Sequence, residues 1–95
     1  MKSSIEDIKN TIVPILKDAQ VKRSALFGSV VRGEATDDSD VDILVEFPDN
    51  KSLFDLVDLK VKLEDALGSD VDLVTYRSIS PLIKDAVLKE QVSIL

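Results

Sequence analysis

One short pattern occurs twice in the chain and restricts its possible folds more than any other feature. Residues 39–45 read Ser-Asp-Val-Asp-Ile-Leu-Val, and residues 69–74 repeat this thirty positions later as Ser-Asp-Val-Asp-Leu-Val. The Ile43-Leu44-Val45 centre is apolar on both faces, which is typical of a β-strand covered on both sides. Two copies are too few for a solenoid. The pattern therefore predicts two strands, each beginning with two acids separated by one residue.

Three helices are predicted around these strands. Apolar residues at helical spacing indicate a first helix over residues 5–19, which Pro14 should kink or split. A second helix, with a leucine stripe, begins after the capping residue Ser52 and ends at Gly68. The Ser80-Pro81 pair predicts the start of a third helix, because Ser suits the N-cap and Pro the first helical position.

Strand-like segments alternate with these helices along the chain. They cover residues 21–27, 41–47 and 71–76, and residues 92–95 add a short extended piece. The alternation predicts an α/β (α+β) fold, a small mixed β-sheet with helices packed on it. Because no linker or low-complexity segment interrupts the pattern, we expect residues 1–95 to form a single domain.

Composition removes several classes of active site and partner. The chain has no cysteine and no histidine, which excludes thiolate metal sites, Ser-His-Asp and Cys-His catalysis, and His-based zinc hydrolases. Eighteen acids against twelve bases give a net charge of −6, the opposite of the balance in proteins that grip long nucleic acids. No long apolar run is present to span a bilayer or serve as a signal peptide, so we expect a cytoplasmic protein that binds no membrane.

The paired acids are the first candidate functional residues. Side chains two positions apart on a strand share a face, so Asp40 and Asp42 should lie side by side and repel each other by roughly 3 kcal/mol at an effective dielectric of 20. If the strand that begins near Asp72 is a neighbour, three carboxylates converge. Such oxygen ligands suit Mg²⁺ or Mn²⁺, although a lone Asp-x-Asp is more often a strand entry with solvated acids.

The third carboxylate has two candidates. Asp70 and Asp72 face the same side, but Asp70 directly follows Gly68-Ser69, a usual place for a turn acid. Asp72 is flanked by Val71 and Leu73, where desolvation makes an unpaired charge costly. We therefore favour Asp72.

Gly28-Ser29 is the second candidate site, since it stands directly after a predicted strand. Backbone N–H groups and a hydroxyl at such a bend can bind phosphate, although a plain turn is the commoner meaning of Gly-Ser. A P-loop is excluded because Glu34-Ala35 replace the required Lys and Ser/Thr. An EF-hand is excluded because Ile43 stands where that loop needs Gly. A phosphate-binding bend and converging acids together indicate a site for a metal-bound nucleoside triphosphate.

Residues 26–42, which contain these features, resemble the Gly-Ser-x10-Asp-x-Asp signature of the DNA polymerase β-like nucleotidyltransferases. They are more similar to the minimal nucleotidyltransferase (MNT) branch, whose pattern includes Arg-Gly after the Gly-Ser and Ser-Asp before the second acid. Val31, where many members carry Ala, is a mild departure. The strand at 71–74 resembles the family's third-carboxylate strand, and the likeness covers nearly the whole chain.

The resemblance implies a two-metal nucleotidyl transfer. Asp40 and Asp42 would hold two Mg²⁺ ions (Mn²⁺ being a substitute), and Asp72 would hold the catalytic ion and help to take the acceptor's proton. Gly28 and Ser29 would bind the β- and γ-phosphates of ATP. The remaining candidate, Arg32, either contacts the pyrophosphate or forms a salt bridge to Asp37, Asp38 or Glu34.

The binding site for the acceptor must be completed by another chain, because 95 residues leave no room for a second domain. We therefore expect a homo- or hetero-oligomer. The MNT resemblance implies a HEPN-type toxin, on which the antitoxin adenylylates a hydroxyl, that of a tyrosine. Two alternatives remain open: an antitoxin that neutralises its partner by binding alone, and a small-molecule transferase of the aminoglycoside-modifying kind.

Overall fold

The computed structural model describes residues 5–34 and 40–95. The elements in chain order are α1 Ile5–Asp18, β1 Arg23–Phe27, α2 Ser29–Arg32, β2 Val41–Glu46, α3 Leu53–Leu67, β3 Val71–Thr75, α4 Lys84–Glu90 and β4 Val92–Ser93, with a 3₁₀ turn Tyr76–Ser78 between β3 and α4. Asp37 and Asp38, the alternative partners named for Arg32, fall outside the described residues.

The strands of the described residues form one mixed sheet in the order β3-β2-β1-β4. β2 and β3 are parallel, whereas β1 runs antiparallel to both β2 and β4. β2 therefore has a neighbour on each side, and its centre, Ile43-Leu44-Val45, is fully buried. This confirms the predicted fold class: a small mixed sheet with helices packed on it.

The two faces of the sheet are covered differently. On one face, α1 and α3 pack over the strands, and the shared core contains Ile8, Ile12, Leu59, Leu63 and Ile43. On the other face a smaller cluster forms around Ala25, Leu44 and Ile79, with Val74 and Val87 beside it. Because side chains alternate along a strand, Asp42 and Asp72 belong to this thinner, second face.

Two details of the helices differ from the sequence predictions. α1 is continuous through Pro14; the proline is on the exposed side of the helix, and only one backbone hydrogen bond is lost there. α4 begins at Lys84 rather than at Ser80-Pro81, which instead form a turn in which Ser80 O accepts the Ile83 N–H at 3.1 Å. Consequently Leu82 is 95% exposed and not part of the core.

α3 follows the prediction closely. Ser52 precedes its first turn, where the Ser52 N–H donates to Asp55 Oδ2 at 2.8 Å, and Gly68 ends the helix in the left-handed conformation. Leu59 and Leu63 of the predicted stripe are buried, whereas Leu53 is 73% exposed. Within the described residues, no helix has the length and apolar character needed to cross a membrane.

Candidate active site

The sheet register brings the predicted carboxylates together at the start of β2 and β3. Asp42 lies directly opposite Asp72 across the parallel β2–β3 pair, and opposite Phe27 across the antiparallel β1–β2 pair. Neighbouring strands are about 4.8 Å apart, so both acids and the end of β1 occupy the same corner. Asp40 precedes β2 by one residue, and its charge is felt at Asp42. The structure thus places Asp42 against Gly28 and opposite Asp72, with Asp40 near enough for its charge to act on Asp42.

Asp42 is electrostatically the most perturbed of these acids. Its pKa is raised from 3.8 to about 6, first by burial and then by the negative charges of Asp72 and Asp40. The predicted desolvation therefore falls on Asp42, whereas Asp72 is exposed. Asp70 is also exposed, and its backbone oxygen accepts the Val41 N–H at 2.9 Å. Unlike Asp72, Asp70 is not among the main causes of the raised pKa of Asp42.

Gly28 packs directly against the carboxyl group of Asp42. A Cβ at position 28 would collide with Asp42 Oδ2 and lie 2.9 Å from its Cγ. The backbone there has φ 77° and ψ −150°, a region that essentially only glycine adopts. The close approach and the dihedral angles independently require glycine, and the Gly-Ser bend is thereby fixed next to the acids.

The bend that follows Gly28 leaves some backbone donors free. Gly28 O accepts the N–H groups of Val31 and Arg32, each at 3.1 Å, and Ser29 O accepts that of Glu34 at 2.9 Å. Among the described residues, the N–H groups of Ser29 and Val30 have no such partner. They remain available to an anion, as expected for a phosphate-binding bend.

Arg32 is held by two carboxylates. Its Nε donates to Glu34 Oε1 at 2.6 Å, and its Nη1 donates to Glu90 Oε1 and Oε2 at 3.0 and 3.1 Å. Of the two alternatives for Arg32, the salt bridge to Glu34 is present, and Glu90 is an additional partner. Glu90 Oε1 also accepts the Gly28 N–H at 2.8 Å. Sequence reasoning missed Glu90, because it lies in α4, 62 positions from Gly28, without a motif of its own.

The donor set of the site fits a hard divalent cation. The acids supply only oxygen ligands, and burial, followed by the negative charges of Asp72 and Asp40, raises the pKa of Asp42. In the part of the chain that the structure describes, no three such side chains stand close enough to enclose an ion by themselves. This agrees with Mg²⁺ chemistry, since that ion is usually held by one or two carboxylates together with substrate phosphates.

A cleft of about 540 Å³ lies at the opposite end of β2 and β3, away from the acids. It is lined by the ends of β2 and β3, the start of α3 and residues 75–78. Tyr76 lies in this cleft, with the Arg23 guanidinium 4.3 Å from its ring centroid. The cleft therefore belongs to a different region of the surface from the candidate active site.

Comparisons with known proteins agree with this geometry. The family described as nucleotidyltransferase domain matches residues 9–94. A candidate protein adenylyltransferase of Methanocaldococcus jannaschii is 53% identical over 92 residues, which are 97% of this chain and 99% of the relative.

Two solved structures are similar in fold and sequence. A crystal structure of a toxin–antitoxin with AMP-PNP gives a TM-score of 0.80 at 34% identity, over 92% of this chain and 72% of the other. A structure of a tri-AMPylated Shewanella oneidensis HEPN toxin in complex with an MNT antitoxin gives a TM-score of 0.73 at 30% identity, over 95% of this chain and 71% of the other. Nucleotidyltransferases of this kind generally imply a divalent metal.

Proposed function

Because the chain belongs to the nucleotidyltransferase domain family, we propose that it is a protein adenylyltransferase that transfers AMP from ATP to a hydroxyl group of a HEPN-type toxin and thereby acts as the toxin's antitoxin. The observation that carries the proposal is the register of the two acidic strands, with Asp42 opposite Asp72 beside Gly28-Ser29. The relatives support the substrates, since one similar structure contains AMP-PNP and another an AMPylated HEPN toxin.

The Gly28-Ser29 bend binds the β- and γ-phosphates in this proposal. The N–H groups of Ser29 and Val30 are unused by the bend, and the serine hydroxyl adds a further donor. Arg32 lies one short helix away and supplies positive charge for the pyrophosphate. The α-phosphate is thus directed towards the carboxylates of β2 and β3.

The carboxylates have separate tasks. Asp40, Asp42 and Asp72 would hold two Mg²⁺ ions, which supply charge neutralisation of the triphosphate and of the leaving pyrophosphate. Asp72, being exposed, is accessible to an acceptor hydroxyl and helps to remove its proton. The acceptor oxygen forms a bond to the α-phosphorus, the bond from that phosphorus to the bridging oxygen of pyrophosphate breaks, and pyrophosphate leaves.

The acceptor in this proposal is a tyrosine hydroxyl of the toxin. A phenolic oxygen is a good nucleophile once its proton is removed. An exposed tyrosine of a partner can reach Asp72, which lies at the open start of β3. Among the described residues, the sheet end, α2 and α4 border this position, and in this proposal the partner completes the site.

The test is a transfer assay with ATP labelled at the α-phosphate, Mg²⁺ and a HEPN-type toxin encoded beside this chain. We expect label on the toxin with the wild-type chain and its loss with Asp42→Asn. Mass spectrometry of the labelled peptide identifies the acceptor side chain. Label that survives Asp42→Asn would refute the assigned site.

The same assay separates the two alternatives. An antitoxin that acts by binding alone would neutralise the toxin without label and without Mg-dependent thermal stabilisation by ATP. A small-molecule transferase would use a free sugar or antibiotic as acceptor with no protein partner. Either result would overturn protein adenylylation by this chain.

A further inference from the structure

Glu90 occupies donors that the proposed reaction needs for phosphate. Its Oε1 accepts the Gly28 N–H at 2.8 Å, and both carboxylate oxygens accept from Arg32 Nη1. A backbone N–H and a guanidinium are the groups with which proteins bind phosphate oxygens. The carboxylate of Glu90 is therefore bound in the way that a phosphate would be.

The arrangement is more than a surface ion pair. The Glu90 side chain is only 26% exposed, and it crosses from α4 to the bend that follows β1. The hydrogen bond from Gly28 and the contact with Arg32 both lower the pKa of Glu90, so it is anionic at neutral pH. Its negative charge also adds to that at Asp42, where it raises the carboxyl pKa. Glu90 thus adds negative charge beside the bend that binds phosphate in the proposed function.

A phosphate oxygen and the Glu90 carboxylate cannot both hold the Gly28 N–H. We propose that Glu90 is a displaceable internal ligand of the phosphate site, which holds the Gly28 amide and the Arg32 guanidinium in the nucleotide-free chain and leaves them when the phosphates of ATP bind. This inference rests on the proposed function for the assignment of the bend to phosphates. Glu90 weakens nucleotide binding, because every binding event must first break its contacts.

Inorganic tripolyphosphate tests the displacement of Glu90 directly, since it carries the three phosphates of ATP without the adenosine. Its dissociation constant is measured by calorimetry, with Mg²⁺ present, for the wild-type chain and for Glu90→Gln. Gln keeps the size of the side chain and removes its charge. We expect the dissociation constant to fall by roughly three- to tenfold, with adenosine binding unchanged.

Glu46→Gln is the matched control. Glu46 accepts a hydrogen bond from Arg23 Nε at 2.8 Å at the far end of β2, so this change removes the same charge from a comparable ion pair outside the site. We expect it to leave tripolyphosphate binding unaltered. An equal gain in both variants would show that net charge alone is responsible and would overturn the proposal.

A second measurement needs no substitution. In the wild-type chain, nuclear magnetic resonance follows the Gly28 amide and the Glu90 carboxyl carbon during a tripolyphosphate titration, and we expect both signals to move together. Binding that leaves the Glu90 signal unchanged, or an affinity that is equal or weaker in Glu90→Gln, contradicts displacement. Failure of AMP transfer to a toxin would count against the proposed function and not against displacement, because tripolyphosphate binding involves neither the toxin hydroxyl nor adenine.

Discussion

The starts of β2 and β3 share the sequence Asp-Val-Asp but differ in their surroundings. Asp42 is partly buried and its pKa is raised to about 6, whereas Asp72, directly opposite it in the register, is exposed. The two strands point the same way and carry their acids on the same face. The difference therefore comes from what lies beside each strand and not from the local sequence.

The neighbours of the two strands explain this difference. β2 is an inner strand with β1 on its other side, and Gly28 at the end of β1 packs on the Asp42 carboxyl. β3 is at the edge of the sheet, and its first N–H, that of Val71, is accepted by Glu64 Oε2 from α3 at 3.0 Å. One acid is thus enclosed by the fold, and its counterpart is left open to an incoming partner.

This comparison predicts that replacing Asp42 or Asp72 has similar effects on catalysis but different effects on the stability of the fold. The effect on catalysis should be the largest. We expect Asp42→Asn and Asp72→Asn each to lower AMP transfer at least about 100-fold, the cost of one lost electrostatic group. Asp70→Asn, the matched control two positions away, should stay within about twofold. Transfer rates with labelled ATP measure this. A large loss in Asp70→Asn with little in Asp72→Asn would reverse the assignment of the third carboxylate.

Sequence reasoning reached the acids but not their environments. The repeated Asp-Val-Asp pattern locates both strand starts, and apolar periodicity locates the helices to within a few residues. The burial of Asp42 and the role of Glu90 depend on strand order and on a contact across 62 positions, which one sequence does not encode locally. The start of α4 was predicted too early for a similar reason: Ser80-Pro81 is as suitable for a turn as for a helix start.

Replacing Gly28 should disturb Asp42 on the inner strand β2 and leave the edge strand β3 intact. In Gly28→Ala the new Cβ meets the Asp42 carboxyl, and the backbone leaves its glycine-only region, so we expect a loss of roughly 2–4 kcal/mol in unfolding free energy. Gly68→Ala is the control, since its φ is also positive but nothing lies within 4 Å of the added Cβ. It should cost about 1 kcal/mol, because alanine adopts the left-handed conformation less readily than glycine. Urea denaturation measures both, and equal losses would contradict the close packing on Asp42.

The raised pKa of Asp42 predicts a pH dependence that the wild-type chain shows and Asp42→Asn lacks. The folded chain binds this proton more tightly than the unfolded chain, so the stabilising contribution is complete below about pH 4 and is lost as the pH rises through about 6. Asp42→Asn should therefore gain stability relative to wild type across this window, reaching about 1 kcal/mol at pH 7 after allowance for solvent screening. Denaturation without divalent cations measures the difference, and a value independent of pH would contradict the prediction.

The start of the edge strand β3 depends on Glu64, and we expect the effect of replacing this residue to be the smallest. The first N–H of β2, that of Val41, bonds to backbone, whereas that of Val71 in β3 depends on a side chain. Glu64→Ala removes this acceptor, and we expect a loss of about 1 kcal/mol with a few-fold decrease in AMP transfer, because Asp72 follows Val71 directly. Glu64→Gln keeps an acceptor oxygen and should retain most of both. If Glu64→Ala left AMP transfer unchanged, the position of Asp72 would be fixed by pairing with β2 alone, and the two strand starts would differ in burial but not in how they are held.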